Sequence, residues 1–168
     1  STFPDILFEG CSGGGGRFDP AILYYSPQIW CSDDTDGIER LEIQYGTSFF
    51  YPVSAVGSHV SAIPNHQTGR KTPLKTRGVV AMAGSFGYEM DLNLLTEDEK
   101  EAVKAQVEDY KKYYDLIHNG DYYRLVSPQG DSDFTAWQFV SGDKAKTLVH
   151  VVITHVRANA PDLWFKLR

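Results

Sequence analysis

The segments EGCSGGGGR (residues 9–17) and PQIWCSDDTD (residues 27–36) decide how this chain folds. In each of them a short apolar run leads directly into a polar tip: DILF (residues 5–8) precedes the glycines, and Ile29-Trp30 precedes the acids. Apolar segments that end in this way are typical of buried parallel strands. Sites in parallel α/β folds lie at the carboxyl ends of the strands. The pattern therefore predicts a catalytic rim where two neighbouring strands end.

Composition limits the classes of protein that this chain can belong to. Its 168 residues, of which 42% are hydrophobic, suffice for one domain or for parts of two. The formal net charge is −6 and no basic cluster occurs, so we expect no nucleic-acid partner. No apolar run approaches the roughly 20 residues of a membrane span. We therefore expect no membrane partner. Two cysteines make no disulfide framework, so we expect a cytoplasmic protein.

The chain begins at Ser1, close to the first predicted strand and without a methionine. We therefore expect a fragment whose upstream part is missing, and a signal peptide in that part stays open. Such a fragment would leave a sheet edge and an apolar face exposed, and we expect it to be poorly soluble by itself.

The rest of the sequence predicts alternating strands and helices up to residue 120 and antiparallel strands after it. We predict strands over residues 5–8, 28–30, 48–53 and 78–83, helices over 19–25, 36–45 and 96–119, and loops over 10–16 and 57–70. The last helix begins with a capping box from Thr96 to Glu99. Its predicted buried stripe contains Val103, Val107, Tyr110, Tyr114 and Ile117. Further β-rich runs cover residues 122–126, 136–140 and 147–156.

The acidic run SDDTD (residues 32–36) has two interpretations. Asp36, together with Thr35, can cap the helix that follows. Capping does not require all three acids, however. A carboxyl group held at a strand end beside Trp30 would have an apolar neighbour, which raises the pKa of a carboxyl group as a general acid requires. Trp30 itself stands at the rim, where sugars or aromatic ligands could stack.

The glycine-rich run also has several interpretations. Residues 10–14 (GCSGG) fit the nucleophile elbow of serine hydrolases, with Ser12 as nucleophile, but glycines follow where that motif requires a helix. The run lacks the Lys-Ser/Thr of a phosphate-binding loop. Close approach of backbone N–H groups to a ligand is a better use of so many glycines, and Cys11 could add a weak donor. No spacing of cysteines and histidines indicates a metal site.

Six segments together resemble bacterial α-galactosidases of glycoside hydrolase family thirty-six. They are FEGCSGGGGRFD (8–19), PQIWCSDDTD (27–36), IERL (38–41), GSHVS (57–61), PNHQTGR (64–70) and FGYE (86–89). The resemblance covers most of residues 5–95, and it implies a (β/α)8 TIM barrel followed by an antiparallel β-domain. The fold class would then be α/β. Residues 1–120 would form the C-terminal half of the barrel, and residues 121–168 would begin a β-sandwich.

On that resemblance, residues 5–8 and 28–31 are the fifth and sixth barrel strands, and 48–53 and 78–83 are the seventh and eighth. The family's acid/base aspartate matches Asp33. The loop that contacts galactose matches Cys11 and the backbone of Gly13, and with Trp30 these residues form the predicted substrate site. No metal and no organic cofactor is implied.

The family's nucleophile is an aspartate in a Lys-Trp-Asp motif on the fourth strand, and this motif does not occur in the 168 residues. The resemblance thus implies a retaining α-galactosidase, active on melibiose, raffinose and similar galactosides, whose nucleophile lies upstream. It also implies a homo-oligomer, a tetramer, as the full-length protein. The chain alone should be inactive.

Three alternatives stay open at this point. The first is a related enzyme with a different outcome, an α-galactosyltransferase or an α-N-acetylgalactosaminidase. The second is a non-catalytic carbohydrate-binding fragment. The third is a serine hydrolase that uses Ser12.

Overall fold

The computed structural model describes residues 3–16 and 19–168. Its strands are β1 (Glu9–Gly10), β2 (Gln28–Ile29), β3 (Gly57–Ser61), β4 (Ser85–Glu89), β5 (Asp121–Val126), β6 (Phe134–Val140) and β7 (Thr147–Ile153). Its helices are α1 (Ser12–Gly15), which is a single distorted turn, α2 (Glu39–Thr47), α3 (Leu74–Ala81) and α4 (Glu97–Asn119). Short 3₁₀ turns cover Pro20–Tyr24, Val53–Ala55 and Leu92–Leu94. Within the described ranges, no helix is both long and apolar enough to cross a bilayer.

Four short parallel strands form the first part of the structure. β1 pairs with β2 and β3 pairs with β4, both in parallel. A single parallel bridge from Ile29 to Val56 connects the two pairs. The carboxyl ends of the four strands therefore lie on one side of the structure, and helices α2 and α3 come between successive strands in the chain. This arrangement confirms the predicted α/β class and the parallel direction of its strands.

Three of the predicted strands and one predicted loop are placed wrongly. Residues 5–8 are irregular, and the strand begins only at Glu9. Residues 48–53 form turns after α2 instead of a strand. Residues 78–81 belong to α3. The sequence predicted a strand there because a short continuous apolar run does not distinguish a buried helix from a buried strand.

The real third and fourth strands lie further along the chain. β3 occupies Gly57–Ser61, inside the predicted loop, and β4 occupies Ser85–Glu89. The polar composition of β3 is the reason that the sequence predicts a loop there. Ser58 is buried, and its hydroxyl donates a hydrogen bond to Gln44 Oε1 on α2 at 2.6 Å, which makes this burial possible. A serine that is satisfied in this way can occupy a strand as an apolar residue would.

Helix α4 has the predicted beginning and most of the predicted stripe. The Thr96 hydroxyl accepts from Glu99 N at 3.3 Å, and the Glu99 carboxylate accepts from Thr96 N at 2.9 Å, so the capping box is confirmed. Tyr114 is half exposed, and its ring stacks on His118 with centroids 4.1 Å apart. Its neighbour Tyr113 packs on the core in its place. One position of the stripe was therefore wrong.

The three C-terminal strands form an antiparallel sheet in the order β5-β6-β7, as the sequence predicts. Every residue of the central strand β6 is buried. The main apolar core joins this sheet to the helices, since Trp137 and Phe139 cluster with Leu41, Val80 and Ile117. α4 ends at Asn119 and β5 begins at Asp121. A division into two domains at residue 120 stays a prediction.

Candidate functional site

The glycine turn at the end of β1 has a backbone that few other residues could adopt. Ser12, Gly13, Gly14 and Gly15 all have positive φ angles, of 52°, 68°, 77° and 84°. Gly15 N donates to Cys11 O at 2.8 Å, and Gly14 N donates to Cys11 Sγ at 3.4 Å. Because glycine reaches this region without a steric penalty, the run closes a tight turn immediately after the strand. Residues 17 and 18, which continue the run, lie outside the described residues.

This turn lies directly against the acidic segment that follows β2. A Cβ added to Gly14 would come within 2.4 Å of Asp33 Oδ2, and one added to Gly15 would come within 2.1 Å of Cys31 O. Gly13 has no atom within 4 Å of its Cβ direction. The structure thus brings Asp33 and the glycine turn together where β1 and β2 end, and leaves Gly13 facing open space.

Asp33 is exposed, and among the described residues the Trp30 side chain holds it. Its Oδ1 accepts a hydrogen bond from Trp30 Nε1 at 2.8 Å. The indole ring is half-buried and packs on the His59 ring with centroids 4.8 Å apart. His59 Nδ1 is 3.6 Å from the Glu89 carboxylate at the end of β4. The second oxygen, Oδ2, lies beside Gly14 of the glycine turn.

The other two acids of the run are structural. Asp34 Oδ1 accepts from Asp36 N at 3.0 Å and shapes the loop. Asp36 Oδ1 accepts from Ile38 N and Glu39 N, at 2.8 and 3.1 Å, so its predicted capping role is confirmed. The predicted cap by Thr35 is wrong, because its hydroxyl instead accepts from Asn65 Nδ2 at 3.2 Å.

Asp36 also anchors the loop after β3. It is buried, and it accepts hydrogen bonds from the Thr68 hydroxyl, at 2.6 Å, and from the Arg70 guanidinium. Burial alone would raise the pKa of Asp36, but the hydrogen bonds from Thr68, from the two backbone N–H groups and from Arg70 outweigh it, and the pKa is lowered. The carboxylate therefore stays ionised and holds the loop against the start of α2.

Sequence reasoning missed Arg40, whose side chain is almost completely buried beneath the rim. Its guanidinium lies 4.7 Å from the centroid of the Trp30 ring and donates to Cys31 Sγ at 3.3 Å. The segment IERL was singled out only as part of the resemblance. A charged residue in the first turn of a helix is usually solvated, so the sequence carries no signal for this burial.

Two other chemistries receive no support from the described residues. Among them, no hydrogen bond joins the Ser12 hydroxyl to a histidine, and Ser12 borders a turn with non-helical backbone in place of the helix that a nucleophile elbow requires. No group of three or more histidine, cysteine or acidic side chains is positioned to hold a metal ion in residues 3–16 and 19–168.

Comparisons with known proteins identify the family of the chain. Residues 1–120 match the family model described as Melibiase. The chain is 58% identical over its whole length to the bifunctional alpha-galactosidase/sucrose kinase AgaSK of Mediterraneibacter gnavus, of which it covers 18%. It is 56% identical to alpha-galactosidase AgaA of Geobacillus stearothermophilus, of which it covers 23%. The chain thus spans about a fifth of the length of these relatives.

Solved structures of the same two relatives superpose on almost the whole chain. The galactosidase domain of AgaSK superposes with a TM-score of 0.96 at 57% identity, over 99% of this chain and 23% of that one. A doubly substituted AgaA, in complex with raffinose, superposes with a TM-score of 0.96 at 55% identity, again over 99% of this chain and 23% of that one.

Proposed function

The chain belongs to the melibiase family, and from this premise we propose that it is the acid-bearing part of a retaining α-galactosidase. The enzyme would release terminal α-D-galactosyl residues from oligosaccharides such as melibiose and raffinose. The observation that carries the proposal is the placement of Asp33. This carboxyl group is exposed at the end of β2, oriented by Trp30, and lies against the glycine turn.

The parallel strands support a finer proposal for the fold. We propose that β1 to β4 are four successive strands of a (β/α)8 barrel, because they run in parallel and join pair to pair through the Ile29–Val56 bridge. Active sites of such barrels lie at the carboxyl ends of the strands, where Asp33 is found. The first four strands, with the nucleophilic aspartate, would come from segments outside these residues.

The proposed mechanism divides the work between two carboxyl groups. In retaining enzymes these groups are about 5–5.5 Å apart. Asp33 Oδ2 would protonate the glycosidic oxygen while the nucleophile attacks the anomeric carbon and forms a galactosyl-enzyme. Asp33, now ionised, would then remove a proton from the water that attacks this intermediate. The Asp33 carboxyl group is regenerated, and galactose leaves with its α-configuration retained.

The glycine turn would bind the sugar. Its backbone approaches the acidic segment too closely for any side chain, and Gly13 faces open space beside it. We propose that the backbone at Gly13 and the Cys11 thiol, which is exposed, contact galactose hydroxyl groups. Trp30 would add an apolar ring edge to the same pocket.

The experiment that tests the proposal uses the full-length parent protein with raffinose. We expect galactose release, and we expect NMR to show the α-anomer first, as a retaining mechanism requires. Release of the β-anomer first would contradict the retaining mechanism. Galactose binding without hydrolysis would favour the carbohydrate-binding alternative. Transfer of galactose from a donor to sucrose, in place of hydrolysis, would favour the transferase.

A further inference from the structure

We infer that Arg40 is a positioning residue for Asp33 and that it acts through the Trp30 indole. This inference rests on the proposed function, because it assigns a role in the acid step of that reaction. Arg40 does not touch Asp33 or face the open rim. It would act on Asp33 through the groups that it contacts, which are the Trp30 ring, Cys31 Sγ and Ser32 O.

The burial of Arg40 is costly and demands a reason. Its side chain is 1% exposed, and its Nε is buried without a hydrogen-bond partner. In the part of the chain that the structure describes, no carboxylate lies within 4.0 Å of its guanidinium, whereas Arg70 pairs with both Asp36 and Glu39. Burying a charge without a counter-ion is expensive.

The contacts of Arg40 converge on the segment that carries the acid. One terminal nitrogen donates to Ser32 O and to Cys31 Sγ, both at 3.3 Å. The other donates to Gly57 O at 2.8 Å, at the start of β3. The guanidinium of arginine presents its donors in one rigid plane that can also stack on an aromatic ring, and the ammonium group of lysine does not reproduce this geometry. Arg40 therefore fixes the backbone between Trp30 and Asp33 relative to the neighbouring strand.

Arg40 also fixes the ring that holds the acid. Its guanidinium lies over the Trp30 ring, 4.7 Å from the centroid, which is a favourable cation–π distance. His59 packs on the same indole, and a Cβ on Gly57 would come within 3.2 Å of Trp30 Cε3. The indole is thereby confined, and its N–H points at Asp33 Oδ1. A carboxyl group that transfers a proton needs this accuracy, since a displacement of about 1 Å can cost about a hundred-fold in rate.

The test compares two galactosides in the full-length parent protein. Raffinose has a poor leaving group that needs protonation, whereas p-nitrophenyl α-galactoside has a good one that needs little. Loss of acid positioning therefore lowers kcat/KM for raffinose selectively. A loss of folded protein lowers both values by the same factor. The ratio of kcat/KM for raffinose to kcat/KM for p-nitrophenyl α-galactoside therefore distinguishes a positioning role from a merely structural one.

The variants are Arg40→Lys, Trp30→Phe and their combination, with Arg77→Lys as the matched control. Arg77 is also buried, and it donates to the carbonyls of Thr72 and Ser61 without touching the indole. We expect Arg40→Lys and Trp30→Phe each to lower the ratio by about ten-fold or more. The combination should be no worse than the more severe single variant, because both act on one path. Arg77→Lys should reduce thermal stability and leave the ratio unchanged.

An unchanged ratio in Arg40→Lys, an equal loss in Arg77→Lys, or additive effects in the combination would overturn the inference. If Arg40→Lys does not fold, Trp30→Phe decides, since an unchanged ratio there removes the path from Arg40 to Asp33. Failure of the unsubstituted parent to cleave either galactoside would instead overturn the proposed function.

Discussion

Replacing Gly14 with alanine should displace Asp33, the proposed acid, while leaving Asp33 itself unchanged. An ideal Cβ at Gly14 would lie 2.4 Å from Asp33 Oδ2 and 2.6 Å from its Cγ. Ordinary contact begins near 3.4 Å, so the carboxylate must move by about 1 Å, a displacement that can cost about a hundred-fold in rate. The φ of 77° adds a backbone strain of about 1 kcal/mol for an L-residue.

The assay measures kcat/KM of the full-length parent for raffinose and for p-nitrophenyl α-galactoside. Gly14→Ala should lower the value for raffinose by about a hundred-fold more than the value for the activated substrate, because only raffinose depends strongly on protonation. Gly69→Ala is the matched control. Its φ is 71°, but its Cβ would meet no atom within 4 Å, so it carries the strain without the collision.

The two variants should therefore share a small loss of stability and differ in substrate ratio. Equal ratios in Gly14→Ala and Gly69→Ala would show that the position of the Asp33 carboxylate does not depend on the space that Gly14 leaves.

Three further predictions concern stability of the full-length parent, measured by thermal or urea unfolding. Thr96→Ala should cost about 1 kcal/mol, because it removes the capping box of α4. Burial lowers the pKa of His150 to about 4, so the unfolded chain binds this proton more tightly. His150 should therefore contribute a loss of about 3 kcal/mol in stability as pH drops from about 6.5 to 4. His150→Leu should remove this contribution, whereas replacing the exposed His155 with Gln should keep it. Asp36→Asn should cost about 2–3 kcal/mol, since it breaks the pair with Arg70, whose partial exposure limits the loss. A cost below about 0.5 kcal/mol for either uncapping or unpairing would contradict these roles.

Features that depend on local chemistry were accessible from the sequence. The capping box of α4 and the β-rich composition of the last three strands depend on neighbouring residues, and both were found. The glycine turn and Asp33 were identified as rim residues because polar tips after apolar runs indicate strand ends. Their direct contact was not derivable, since it depends on the register of β1 and β2.

Features that depend on tertiary partners were not accessible. β3 appears polar because Ser58 is satisfied by Gln44 on α2, a residue 14 positions away. The apolar run that forms the end of α3 resembles a strand because it is buried on several sides. Arg40 appears solvated in the helical pattern, and only the convergence of β2, β3 and Trp30 buries it.

We propose that Asp33 is the proton donor, and the decisive variant is Asp33→Ala in the full-length parent. Asp34→Ala is the matched control, because it removes the adjacent acid, which serves the loop backbone. We predict that Asp33→Ala loses raffinose cleavage far more than p-nitrophenyl α-galactoside cleavage, and that azide restores turnover of the latter by forming α-galactosyl azide. An Asp33→Ala enzyme that matches Asp34→Ala on both substrates would contradict it.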